Sequence, residues 1–392
     1  MARLYHQLGH RFQWSLSSIQ TDATGDGTIV GPRYMAPQKV RAIPAALRQS
    51  SLFDPQFFLP NSARGKLPEY SFFPEVLSGG FTTEEWGPEM ARSCADRCLS
   101  FQNAYEFEAV VIPTRFYEGM PSNFISKQEA QFVVPFLQSI EASGTNDRPV
   151  FLQLILTDQM LKDESYRSEL LNWVTSYPEL HGVYLVYYVH NRQKQITDIQ
   201  FLIGLLSFVG AIKSSGLSIA IGYANTESVL LLCAGADILT VGTYENLRMF
   251  NLKSFEEPDE SPRRGPTPRI YVPRLMQWID HQYIGAIGAV VEDLGEYLED
   301  NEHSVRMFEP TYNWHFTKPE PYKHYFVSFA RQFRRLNSHG ADAIVDAVLE
   351  ECRRATQGFE ELNEAGLVFS PESGGGHLAS WMTTLNLWRG GR

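Results

Sequence analysis

Two carboxylates, Asp54 and Glu245, each follow a short apolar stretch and open a polar loop. A carboxylate so placed can give or take a proton on a bound molecule. Other polar groups recur in the same relation to apolar stretches. Gln56 lies just beyond SLFDP, and Arg115 follows AVVIPT. Tyr188, His190 and Asn191 close GVYLVYYV, while Gly222 and Asn225 follow LSIAI. Gly242, Thr243, Asn246 and Arg248 follow DILTV. Amide, guanidinium, imidazole and carboxylate groups gathered at one mouth suit a polar ligand, anionic or heterocyclic. Each residue also has a plainer reading. Asp54 precedes Pro55 and can start a turn, Asn225 can cap a helix, and Arg248 can pair with a carboxylate. His190 has no carboxylate partner visible in the sequence and reads first as a loop histidine.

Several chemistries lose support. The chain contains no GxxxxGK[ST] loop, GxSxG elbow, HExxH helix or GxGxxG fingerprint, which argues against NTP hydrolysis, α/β-hydrolase chemistry, zincin proteolysis and Rossmann dinucleotide binding. Cys94 and Cys98 lie one helical turn apart, but no second Cys/His pair of zinc-site spacing follows, so no metal and no cofactor is expected. Cys233 and Cys352 bring the total to four, too few and too scattered for a disulfide framework. A net charge of −11 argues against broad nucleic-acid binding. Local exceptions are Arg263, Arg264 and Arg269, and the group Lys323, Arg331, Arg334 and Arg335, the latter reading as a solvated helix face. The triplet Gly374–Gly376 reads as a linker into a final helix or as a phosphate cradle. No run reaches the roughly 18 uninterrupted apolar residues of a membrane span, and the start MARLYHQLGHRFQW lacks a secretory apolar core. A cytoplasmic protein without membrane contact is expected.

The elements that must position these residues are clearest between Ala109 and Phe250. AVVIP, PVFLQLIL, GVYLVYYV, LSIAIG and ADILTVG read as strands. The third is apolar without alternation, as a strand buried on both faces should be. Helices alternate with them: one opening on a Ser126/Glu129 capping box, one over 165–176, one over 199–215 ending before Gly216, and one capped by Asn225 or Thr226. This alternation demands parallel strands with right-handed crossovers. Further candidates at 28–30, 51–53 and Ile270–Val272 bring the strands to about eight, which favours a barrel over an open sheet. The predicted fold is an α/β, TIM-like (β/α)8 barrel over residues 1–275. It carries an aromatic insertion at 55–108, placed as a lid or partner surface, and a helical extension over 276–392. Apart from 28–30, the first 50 residues read as irregular. A length of 392 residues, 43% hydrophobic and 20% charged, accommodates this.

GYANTESVLLLCAGADILTVGTYENLRMF resembles the last two barrel units of tRNA-guanine transglycosylases and their DNA-acting 7-deazaguanine relatives. In that family a glycine-bearing strand end, a short helix, a G-x-D strand and an Arg-bearing loop follow one another. LFDPQFF stands where the family has an aspartate that serves base exchange, which maps onto Asp54. The resemblance spans roughly residues 50 to 250. It implies a nucleobase, nucleotide or nucleic-acid ligand at the mouth, anchored by Asp54 and Arg248, with Asp54 or Glu245 as acid/base. The family's nucleophilic aspartate falls at Thr240, its base-reading glutamine near Thr157, and another aspartate at Pro113. Its zinc loop is replaced by the cysteine-free RRGPTPRIYVPRLMQWIDHQY. A threonine hydroxyl without an adjacent base is a poor nucleophile. The alternative expectation is therefore a catalytically silent scaffold with protein partners in a nucleic-acid-processing or antiviral defence assembly. A barrel lyase or aldolase is disfavoured because no lysine stands at these strand ends.

Overall fold

The computed structural model describes residues 1–59, 65–73, 86–144, 147–190, 193–256 and 265–391. Eight strands form one parallel sheet: β1 (Arg3–Gln7), β2 (Gly27–Val30), β3 (Leu52–Phe53), β4 (Val110–Ile112), β5 (Val150–Thr157), β6 (Gly182–Tyr188), β7 (Ser218–Gly222) and β8 (Ile238–Gly242). Their order is β3-β2-β1-β8-β7-β6-β5-β4. β1 pairs in parallel with both β2 and β8, so the chain's first strand locks beside its last barrel strand. The remaining gap is bridged at both ends. Before the strands the Glu108 amide donates to the Ser51 carbonyl at 3.0 Å, and beyond them the Phe116 amide donates to the Phe58 carbonyl at 3.0 Å. The fold is a (β/α)8 TIM-like barrel with a C-terminal set of helices.

The barrel is completed differently from the sequence-based expectation. RLYHQ, within a stretch read as irregular, is β1, and the Phe12–Asp22 helix follows it. Ile270–Val272 is not a barrel strand. It belongs to β9 (Arg269–Val272), which pairs antiparallel with β10 (Gln277–Asp280) in a separate hairpin. Two helix starts also differ. The helix expected at Ser126 begins at Phe124, and the Ser126 hydroxyl donates to the Asn123 carbonyl rather than capping. The short Ser228–Cys233 helix follows Glu227, and the Thr226 hydroxyl donates to Gln195 instead of capping it.

β5 and β6 are buried along almost their whole lengths, which explains their unbroken apolar runs. The helices after the hairpin return to the barrel wall. The Glu320–Asn337 helix lies against the Phe12–Asp22 helix, where Phe326 meets the His6 ring edge-on at 4.5 Å. The Gly376–Gly390 helix lies along the Ile199–Ser214 helix, anchored by the Trp381 indole donating to the Ile196 carbonyl at 2.8 Å. In the described part of the aromatic insertion several rings pack inward, with Phe101 4.8 Å from Phe53 and Phe73 stacked on Phe57 at 4.4 Å. Cys94 and Cys98 are buried within it, and burial pushes both thiols up. The basic group on the late helix lies at the surface, where Arg335 pairs with Glu299 and Glu351 and Arg331 donates to the Glu299 and Asp300 carbonyls. Among the described residues no helix is long and apolar enough to cross a membrane.

Candidate functional site

The polar residues at the strand ends separate into three places. The first is the barrel interior. Asp54 leaves β3 pointing inward and is fully buried. Its Oδ1 accepts from the Gln56 amide at 3.1 Å and from Gln153 Nε2 at 2.8 Å, and its Oδ2 accepts from the Tyr184 hydroxyl at 3.2 Å. Burial pushes the Asp54 carboxyl up to about 7 against the opposing pull of these hydrogen bonds. Gln56 extends the network, its Nε2 donating to the Tyr223 hydroxyl at 3.0 Å and its Oε1 accepting from the Arg33 amide at 2.7 Å. Beyond it lies an aromatic plug. Phe58, from the loop after β3, meets Phe250 at 4.9 Å and Phe255 at 4.7 Å, and Tyr223 meets Phe250 at 5.5 Å. All four rings are buried, so Asp54 sits in a closed polar layer beneath them.

Glycine and threonine positions serve this packing. A Cβ on Gly222 would come within 2.4 Å of the Tyr184 hydroxyl, so its bareness makes room for the ring that holds Asp54. A Cβ on Gly242 would lie 2.6 Å from Leu247 Cβ, so that glycine lets the short Glu245–Arg248 helix press on β8. Thr240 is buried and accepts from the Ala224 amide at 3.2 Å, and Thr157 caps the helix that follows it through the Met160 amide. Arg115 is buried as well, its backbone clasped by Gln128 at 3.0 and 2.8 Å.

The second place is the rim over β5 and β6. His190 has a carboxylate partner after all: its Nδ1 meets Asp158, 32 residues away in the chain. Burial alone would raise the Asp158 carboxyl, but the hydrogen bond and charge of His190, with Lys162, hold it below its ordinary range. His190 Nε2 has no hydrogen-bond partner among the described residues. Tyr188 packs edge-on to the His190 ring at 5.2 Å. Asn191 falls outside the described residues, as do Arg263 and Arg264.

The third place is a pair of adjoining cavities between the ends of β6 to β8, the hairpin and the segment before the last helix. The larger, 490 Å³, is lined by Gln193, Lys194 and Gln195 from the loop after β6, Glu245 from beyond β8, Gln277 from β10, and Glu372, Gly374, Gly376 and His377 from the C-terminal segment. The smaller, 200 Å³, shares Lys194, Glu245 and Glu372 and adds Tyr244, Arg248, Arg269, Trp278 and Tyr322. A chain of amides ties the walls together. The Thr226 hydroxyl donates to Gln195 at 2.9 Å, Gln195 to Gln277 at 2.7 Å, and Gln277 to the Gly374 carbonyl at 2.8 Å. Glu245 pairs with Lys194 at 2.5 Å, and Glu372 with Arg269 at 2.6 Å. Arg248 lies 3.8 Å over the Trp278 ring. Asn225 abuts this place, its Nδ2 donating to the Lys194 carbonyl at 3.2 Å. Next to it Glu227 is fully buried, and burial pushes its carboxyl up against the Tyr187 hydroxyl at 2.6 Å and the Asn225 amide at 3.1 Å. Thr243 and Asn246 turn the other way, to the His10 carbonyl and the Tyr34 hydroxyl.

The structure therefore brings Glu245, Arg248 and Asn225 together and keeps Asp54 and Gln56 apart from them, inside the barrel. Lys194, Gln195, Gln277, Trp278 and Glu372 escaped the sequence reading. RIYV-PRLM-QWID, two strand-like pieces around a turn led by proline, was the available sign of a hairpin that could deliver Gln277 and Trp278.

No protein-family model matches the chain, and no curated protein matches it. Similar solved structures include xylanase B from Clostridium stercorarium F9, at 11% identity and TM-score 0.37, covering 64% of this chain and 89% of that one. Another is a mandelate oxidase variant with a monooxide FMN adduct, at 14% identity and TM-score 0.32, covering 64% and 68%. A third is dihydrodipicolinate synthase from Oceanobacillus iheyensis, at 10% identity and TM-score 0.32, covering 99% and 96%. Likeness at this level assigns no activity.

Proposed function

We propose that this barrel binds a small planar polar molecule, of the nucleobase or nucleotide class, in the paired cavities beside its axis. The observation that carries the reading is the wall chemistry. Among the described residues three glutamine amides, two carboxylates and the Tyr244, Trp278 and Tyr322 rings line adjoining spaces of 490 and 200 Å³ that share Lys194, Glu245 and Glu372. Fixed donors and acceptors with aromatic faces suit a heterocycle that carries both kinds of group on its edge. Glu245 is the acid/base candidate at this site, with Lys194 holding it in place. The transglycosylase resemblance supports the same ligand class, although Asp54, the residue it singles out, lies under the aromatic plug.

Titration calorimetry with a panel of nucleobases, nucleosides and nucleotides tests this reading. Glu245→Gln and Gln277→Ala are expected to weaken binding about tenfold, the cost of a lost hydrogen bond to a buried or charged group. Asp54→Asn should leave it within about twofold. Absence of binding by every panel member, or loss only in the Asp54 variant, would overturn it.

The closed axis favours a second reading, a silent barrel acting as a subunit of a nucleic-acid-processing or defence assembly. It predicts stable partners on purification from the native host. A monomer with turnover of its own would refute it.

A further inference from the structure

Arg248 is a buried guanidinium that feels the charges of Glu245 and Glu227 but forms no ion pair with either. The residue is 8% exposed, its Nη1 donates to the Thr243 carbonyl at 2.9 Å, and its Nε has no acceptor among the described residues. Among the described residues no carboxylate stands within ion-pair distance of it. Glu245 is paired with Lys194, while Glu227 is occupied by the Tyr187 hydroxyl and the Asn225 amide. The Trp278 ring at 3.8 Å and the Tyr325 ring at 5.5 Å offset part of the desolvation cost. An arginine cannot escape the rest by losing its proton. A buried guanidinium without a carboxylate is expensive, and the expense is tolerated where a ligand supplies the missing charge.

The setting fits such a ligand. Arg248 and Trp278 both line the 200 Å³ cavity, and the Trp278 indole N–H also lacks an acceptor among the described residues. Among the described residues that line this cavity, three are cations, Lys194, Arg248 and Arg269, and two are carboxylates, Glu245 and Glu372. Each of these carboxylates is paired with one of the other two cations, which leaves Arg248 as the cation on this wall without a carboxylate of its own among the described residues. At about 30 Å³ per water, the space equals roughly seven water molecules, enough for an oxyanion and the atoms that carry it.

We infer that the ligand is anionic: a carboxylate or phosphate group sits in the smaller cavity against Arg248 and the Trp278 indole N–H, and the rest of the molecule extends into the larger cavity. The inference rests on the ligand-binding reading and adds the ligand's charge and its direction in the site.

Calorimetry with two matched pairs tests it: a nucleoside against its 5′-monophosphate, and benzamide against benzoate. The anionic member should bind at least tenfold more tightly, as charge-assisted hydrogen bonds to a buried guanidinium allow. Arg248→Gln should abolish that preference, so that the two members of each pair bind the variant alike, and Arg248→Lys should restore part of it. If Arg248→Gln fails to fold, Trp278→Phe carries the test, with about a fivefold loss confined to the anionic member. Equal binding within both pairs, an anionic preference that survives Arg248→Gln, or no binding by any probe would overturn the inference. Preference for benzoate alone, lost in Arg248→Gln, would uphold the anion seat and reject the nucleotide class.

Discussion

Replacing Asp54 by asparagine should make the protein more stable in mild alkali and no more stable in mild acid. The carboxyl titrates near its ordinary 3.8 in the unfolded chain and at about 7 in the folded one. Because the folded state holds its proton more tightly, the favourable contribution is complete below pH 3.8 and is lost as pH rises through 7. The interval is about three pH units at about 1.4 kcal/mol each, so the wild type forfeits about 4 kcal/mol at this residue between pH 4 and 8. Asparagine has no such loss. Its oxygen can accept from the Gln56 amide and Gln153 as Asp54 Oδ1 does, and its Nδ2 can donate to the Tyr184 hydroxyl. One amide hydrogen is left without a partner, at about 1–2 kcal/mol. The variant should therefore gain about 2–3 kcal/mol over the wild type at pH 8 and lose that gain by pH 5. Urea unfolding of both proteins from pH 5 to 9 measures the difference directly, and titration of every other group cancels. Parallel stability curves across that range would refute a protonatable Asp54 sealed in the barrel.

Other perturbations probe the remaining parts. Phe250→Ala removes the ring that joins Phe58 and Tyr223 and should cost about 3–5 kcal/mol in chemical unfolding; a loss under 1 kcal/mol would mean the plug is loosely packed. Gly242→Ala places a Cβ 2.6 Å from Leu247 Cβ and should destabilise by about 1–3 kcal/mol, with a lowered melting temperature as the readout. Asp158 is held below its ordinary 3.8, so its stabilisation is present above that pH and lost as pH falls through the lower folded value. Asp158→Asn should therefore be less stable than the wild type at pH 7, with a gap that narrows below pH 4; an unchanged gap would deny the His190 pairing.

How much of this was legible depended on what each segment must bury. β5, β6 and β7 announce themselves because strands covered on both faces need apolar residues throughout. β1 does not. Within RLYHQ, His6 is buried against Phe326 outside the barrel, and Gln7 accepts from the Tyr223 amide at 3.4 Å, so two of its five residues are polar yet fully enclosed. Hydrophobic periodicity cannot register burial that a helix more than 300 residues later provides, and Ile270–Val272 was counted as the missing strand. The candidate site shows the same limit. That polar residues cluster after the strands was readable, but the direction each side chain takes was not. Asp54 turns to Gln153 and Tyr184, and Arg248 to Trp278 in a hairpin 30 residues on. His190 found its carboxylate in another loop. Barrel architecture and ligand chemistry are separate questions for this chain.

The proposed ligand seat lies beside the barrel axis, in the cavities that share Lys194 and Glu245. A crystal structure of the protein soaked with a nucleoside 5′-monophosphate tests it most directly. Density with its anionic group against Arg248 and Trp278 and its ring among Gln193, Gln195 and Gln277 is the predicted result. Density on the axis in contact with Asp54, with Phe58 and Phe250 displaced, would contradict it.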